Sequence, residues 1–203
     1  MCRTPESEFI KESVEAIKES IRFFSNDCKT DREIWVVRNF LSKLCIMFSD
    51  EEIYASPDEP ADVVYCDARF QVKEIIDKDR RRGDEFRESL RKAETATSAS
   101  DLFEYYPFQK MNCADVVPIV AQQASDWQRK YGPSERMSID LLFYFNLQGI
   151  HVVGDIFPDV DTYSSKMAEW RSVSVVSDDF ALVLHVSQNA PGFLKTAKGK
   201  VHR

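Results

Sequence analysis

The stretch 60–76, PADVVYCDARFQVKEII, decides the fold. It holds two short apolar runs, 63–66 and 70–76, joined by Asp67-Ala68-Arg69, which has the length and chemistry of a tight hairpin connection. Alternate side chains of a β-strand leave on opposite faces, so Gln71, Lys73 and Ile75 share one side while Phe70, Val72 and Ile76 share the other. An amide and an ammonium therefore stand together on a strand otherwise suited to burial. Asp62 is at the mouth of the first strand, and hairpin pairing brings it towards the Gln71/Lys73 face. A carboxylate, an oxygen-bearing side chain and a lysine at one end of a hairpin can hold a hard cation and neutralise a phosphate.

Whole-chain quantities bound this idea. The 203 residues, 43% hydrophobic and with 14 Phe, are enough for one domain with a substantial core. Cys2, Cys28, Cys45, Cys66 and Cys113 are odd in number and lack any CxxC, so they read as small apolar residues in a reducing compartment. His151, His185 and His202 are too few and too scattered for a histidine metal cluster or an obvious triad. The start is acidic where a signal peptide is basic, and no apolar run approaches membrane-spanning length, so the expected location is cytoplasmic, away from membranes. The net charge of −7 counts against generic nucleic-acid affinity, which wants a basic surface. Positive charge is clumped, however, with Lys78, Arg80, Arg81 and Arg82 directly after the hairpin. These arginines can contact a phosphate backbone, although such residues more often face water.

Outward from the hairpin, residues 7–26 read as an amphipathic helix with Phe9, Val14, Ile17, Ile21 and Phe24 at helical spacing. A second helix is expected from Thr30 to Phe48, with Thr30 and Glu33 in a capping-box pattern and a stripe of Val37, Leu41, Leu44 and Phe48. Glu33 either closes that box or points its carboxylate along the face that meets the sheet. Residues 77–97 alternate charge as a surface helix anchored by Phe86 and Leu90. Phe103, Tyr105, Tyr106 and Phe108 make an aromatic connection, which can stack on bases or clamp onto the core. A helix over 114–131 ends at Gly132-Pro133, and 139–147, 151–153 and 170–176 supply strands. The continuous apolar run 180–186 is read as helix, and the basic tail 195–203 as frayed. The order of elements gives an α/β (α+β) sandwich around a mixed central sheet flanked by helices, in one domain over 1–203: a packing helix to residue 29, a core over 30–186, and a tail from 187.

Glu33 on a helix, Asp62 after Pro60-Ala61, and Gln71-Val72-Lys73 on the next strand resemble the PD-(D/E)xK restriction-endonuclease-like nucleases. The blocks REIWVVRNFL, DEPADVV, ARFQVKEI, RRRGDEF and WRSVSVV are similar to a bacterial family of unknown function provisionally called an endonuclease, over most of the chain. The resemblance implies a restriction-endonuclease-like core and a phosphodiesterase using Mg2+ or Mn2+ on DNA or structured nucleic acid. It makes Asp62 the principal metal ligand, Glu33 an upstream ligand, Gln71 a ligand through its amide oxygen, and Lys73 the electrostatic catalyst. A homodimer that cuts both strands is compatible with it. Two departures stand out: Ala61 separates the proline from the aspartate, and Gln71 occupies the usual acidic position. Gln71 brings no charge, so weaker metal binding follows. The alternative is a nuclease-like fold without catalysis, serving as a binding or regulatory module, in which Lys73 only pairs with Asp62 or Glu33 to tie the helix to the hairpin.

Overall fold

A computed structural model describes residues 6–103 and 107–203. Cys2, Tyr105 and Tyr106 lie outside the described residues. Contacts divide the chain into two compact units, Met1–Arg32 with Lys78–Pro107, and Glu33–Asp77 with Phe108–Arg203.

The chain enters through α1 (Glu6–Phe23) and α2 (Lys29–Lys43), the latter crossing the unit boundary in its first turn. A 3-10 turn over Asn26–Cys28 runs into α2 through helical backbone at Lys29, so Thr30 lies inside the helix and not at an extended cap. The helix also stops earlier than its apolar spacing suggests. Cys45 takes a left-handed φ of 56°, and Ile46 N–H reaches back to Leu41 O at 3.0 Å, which closes the terminus before Phe48.

The first unit pairs α1 with α3 (Arg82–Thr95). Phe24 stacks on Phe86 at 5.3 Å, Phe9 on Phe103 at 6.2 Å, and Ala93 is buried. Phe103 keeps 70% of its surface exposed, so its part in the unit is this edge contact and not a core position.

The second unit is a seven-stranded mixed sheet in the order β1-β2-β3-β5-β7-β8-β9. Its elements in chain order begin with β1 (Ile53–Ala55), β2 (Val63–Tyr65) and β3 (Ala68–Ile75). There follow β4 (Gln109–Asn112), α4 (Cys113–Gln128), α5 (Pro133–Arg136), β5 (Asp140–Phe145) and β6 (Ile150–Val153). The remainder is α6 (Ser164–Met167), β7 (Ser172–Val176), β8 (Ala181–Val186), α7 (Gly192–Ala197) and β9 (Val201–His202). Strands β3, β5 and β7 run parallel at the centre, their neighbours antiparallel, and β4 pairs with β6 apart from the main sheet. Runs such as LLFYF and SVSVV suit a centre covered on both faces.

Strand alternation sorts the core into two layers. Val36, Val37, Phe40 and Leu41 of α2 pack on the face of Phe70, Val72, Leu142 and Val183. Val116, Val120, Ala121 and Ala124 of α4 pack on the face of Ile75, Leu141, Phe143 and Val175. Phe40 meets Phe70 edge-on at 5.9 Å, both with no exposed surface. Cutting Phe70 back to alanine would cost about 3–5 kcal/mol.

Three expectations need correction. The hairpin turn is Cys66-Asp67 alone, because Ala68 is buried and pairs with Tyr65 while Val63 pairs with Phe70; Cys66 takes the left-handed position with φ 50°. Residues 181–186 form a strand: Ala181 and Val183 enter one layer, Leu182 and Leu184 the other, so the run is apolar on both faces. The tail is ordered by buried Leu194 and Ala197 and by β9 on β8, and Arg203 donates to Val152 O at 2.8 Å.

Candidate active site

The site grows from the hairpin register. With Val63 opposite Phe70, Asp62 falls opposite Gln71, and the pairing continues through Asp62 N–H to Phe70 O at 2.8 Å. Asp62 O accepts from Ser56 N–H at 2.9 Å, so the backbone before β2 is held on both sides. The Asp62 carboxylate turns across to β3, where Oδ2 receives Val72 N–H at 2.9 Å and the Gln71 Nε2 amide. Lys73 Nζ stands 3.9 Å from the same oxygen, with 16% of the Lys73 side chain and 11% of the Asp62 side chain exposed. The structure thus brings Asp62, Gln71 and Lys73 together, and all three side chains belong to the layer covered by α4.

Glu33 is a half-buried residue of α2, whose apolar stripe covers the other face of the sheet. Among the described residues no group of three or more His, Cys, Asp or Glu side chains is placed to hold a metal ion. Arg80, Arg81 and Arg82 belong to the first unit. Arg80 Nε is bound by both carboxylate oxygens of Glu85 at 2.9 and 3.0 Å, Arg82 lies 4.3 Å over the Phe24 ring, and Arg81 is exposed at the start of α3.

Two further residues complete the hairpin cluster. Tyr131 Oη donates to Gln71 Oε1 at 2.9 Å, so the nearly sealed Gln71, 3% exposed, uses both ends of its amide. Burial, with the negative charges of Asp62, Glu59 and Glu135, pushes the Tyr131 phenol up to about 12. Tyr131 is therefore a neutral donor at physiological pH. Trp127 carries Lys73 Nζ at 4.6 Å and Lys130 Nζ at 4.0 Å from its ring centroid. The aromatic residues at the end of α4 look in sequence like the last turn of a packing stripe. The helix ends at Gln128, so Tyr131 lies just past it, and only the fold shows that the two rings, 6.3 Å apart, reach Lys73 and Gln71.

A second polar centre, also missed in the sequence, is Asp140 at the start of β5. It is fully buried and accepts from Ser172 Oγ at 2.7 Å and Arg171 Nε at 3.1 Å on Oδ1, and from Arg69 N–H at 3.0 Å together with Arg171 Nη2 on Oδ2. Burial pushes its carboxyl up, and the Arg171 guanidinium pulls it back down. Arg171 Nη2 also reaches Asp67 O at 3.2 Å, so this centre pins the hairpin turn to β5 and β7.

Residues 5–203 match the family described as "Putative endonuclease, protein of unknown function (DUF1780)". The chain belongs to this family. A solved structure with TM-score 0.58 and 23% identity covers 98% of this chain and 96% of its own. It is a protein of unknown function from Pseudomonas aeruginosa strain PAO1, described as of the monooxygenase superfamily, and the likeness shows a shared fold. Among curated proteins no relative is matched. Among the described residues no helix is long and apolar enough to cross a membrane.

Proposed function

We propose that this family member is a divalent-metal-dependent endonuclease that hydrolyses phosphodiester bonds of DNA or structured nucleic acid at Asp62, Gln71 and Lys73. The observation that carries the reading is the meeting of an amide, a backbone N–H and an ammonium on one partly open carboxylate oxygen, on the face of a hairpin. The family description agrees with the reaction class.

The chemistry of the donor set sets the terms on which a cation fits. Mg2+ commonly takes one or two carboxylates and completes its sphere with water and substrate phosphate. Asp62 supplies the carboxylate. Gln71 now turns Nε2 to Asp62 and Oε1 to Tyr131, so its oxygen reaches a shared cation only after the amide rotates end for end. Tyr131 tolerates that rotation, because a phenol hydroxyl both donates and accepts. Asp62 and Gln71 therefore fit Mg2+ or Mn2+ with an affinity below that of a three-carboxylate site. A cation held there would supply Lewis-acid polarisation of the scissile phosphate.

The chain's own groups do the rest. Val72 N–H fixes the rotamer of Asp62. Lys73, its side chain 16% exposed, offers its charge to the phosphoryl oxygens as negative charge builds on them. Neutral Tyr131 keeps the Gln71 amide satisfied in either orientation.

The test is calorimetric titration of the full chain with Mg2+ and Mn2+, followed by incubation with supercoiled and single-stranded DNA. Metal-dependent cutting that disappears in Lys73→Ala and Asp62→Ala is the expected result. Intact DNA and no heat of metal binding would sink the proposal. A second reading, a nuclease-like fold that binds or regulates without cutting, is favoured by the N–H that Gln71 presents to Asp62, and among the described residues no group of three or more His, Cys, Asp or Glu side chains is placed to hold a metal ion. Its signature is nucleic-acid binding without cleavage at any metal concentration.

A further inference from the structure

One indole gathers two ammonium groups. Lys73 and Lys130 both lie over Trp127, and Lys130 follows the C-terminus of α4, where Lys130 N–H closes a turn onto Trp127 O at 3.0 Å. A helix C-terminus attracts cations, and the ring quadrupole attracts both lysines, but the two ammoniums repel each other. Asp62 stands 3.9 Å from Lys73; among the described residues no carboxylate comes within ion-pair distance of Lys130, which is exposed beside exposed Arg129. The carboxylates that act on neighbouring Tyr131 are Asp62, Glu59 and Glu135. The arrangement thus has one cation set at the reaction centre and a second held next to it with its charge open to solvent.

We propose that Lys73, Trp127 and Lys130 form a clamp for the phosphodiester backbone of a nucleic-acid strand, with Lys73 at the scissile phosphate and Lys130 at a neighbouring one. Trp127 is the positioning residue that sets the spacing of the two ammoniums. The clamp deepens the endonuclease reading, since it takes its substrate and orientation from that site. It also accounts for how a chain of net charge −7 engages a polyanion. Attraction is confined to two contacts and is not spread over a basic surface, so binding is weak and its dependence on salt is shallow, with a slope of roughly one to two.

The test uses the full chain in excess EDTA, with fluorescence anisotropy of labelled single-stranded and duplex oligonucleotides across a salt series. Lys130→Ala is expected to weaken binding about five- to tenfold at low salt and to lower the salt slope by about one. Lys130→Arg should retain most of the affinity, and Trp127→Phe more of it than Trp127→Leu. Unchanged affinity and slope in Lys130→Ala would overturn the clamp. So would an absence of binding by the wild type, or displacement of the oligonucleotide by inorganic phosphate at equal phosphate concentration, which marks a pocket for the free ion. Because no metal is present, failure of cleavage leaves a Lys130-dependent clamp standing, and cleavage without Lys130 dependence removes the clamp alone.

Discussion

Asp62 and Asp140 flank β3 on opposite edges, each accepting a backbone N–H from it, and their side chains are 11% and 1% exposed. Asp140 meets a guanidinium fork, a serine hydroxyl and a peptide N–H, which together occupy both of its oxygens. Asp62 meets a neutral amide, a peptide N–H and an ammonium no nearer than 3.9 Å. A rigid fork saturates a carboxylate geometrically, whereas an ammonium at that distance is a loose counter-charge that can turn to another anion. The difference separates a carboxylate committed to structure from one still open to chemistry.

The largest effect that would break this contrast is on stability. Asp140→Ala leaves the Arg171 guanidinium, 12% exposed, without its partner and should cost about 3–5 kcal/mol, seen as a large drop in Tm. Asp62→Asn keeps the shape and should move Tm little. Equal losses would mean that both centres are structural. Next in size is activity: Lys73→Ala should lower cleavage by about 10²–10³-fold while leaving the melting curve near that of the wild type. Activity that survives this substitution removes Lys73 from the reaction centre.

A smaller effect sharpens the contrast within the site. Gln71→Glu places a second carboxylate against Asp62, which should raise divalent-ion affinity about tenfold and lower stability when no ion is present. Melting curves with and without Mn2+ read both signs at once. A variant whose Tm ignores Mn2+ would show that Asp62 and residue 71 do not share an ion.

How much of this was legible in the sequence depends on how local each contact is. The hairpin and the convergence of Asp62, Gln71 and Lys73 follow from a period of two and a short turn, so alternation alone brought them together. Glu33 shows the limit: helical spacing tells which stripe of α2 is buried, but not which face of the sheet that stripe will cover. Asp140 and Arg171 are separated by 31 positions and look like strand-end charges until β5 and β7 lie side by side. Residues 180–186 carried no period because both faces are buried, so a strand and a buried helix read alike. The tail's lysines masked Leu194 and Ala197, which hold α7 in the core.

Tyr131 supplies the finest probe of the comparison, because its phenol feels the charge of Asp62 directly. Folding raises its pKa from 10.0 to about 12, first through burial and then through Asp62, Glu59 and Glu135. A raised pKa means that folding favours the protonated phenol. This contribution to stability is full below pH 10 and is lost as the pH climbs through about 12. Absorbance-detected phenolate titration of the folded chain should therefore show a late step that Tyr131→Phe removes. Asp62→Asn withdraws the largest of the charges acting on the ring and should move that step to lower pH, while Asp140→Asn, on the other edge of β3, should leave it in place. If both substitutions move it equally, Asp62 has no special electrostatic hold on the cluster, and the distinction between the two aspartates fails at its most sensitive point.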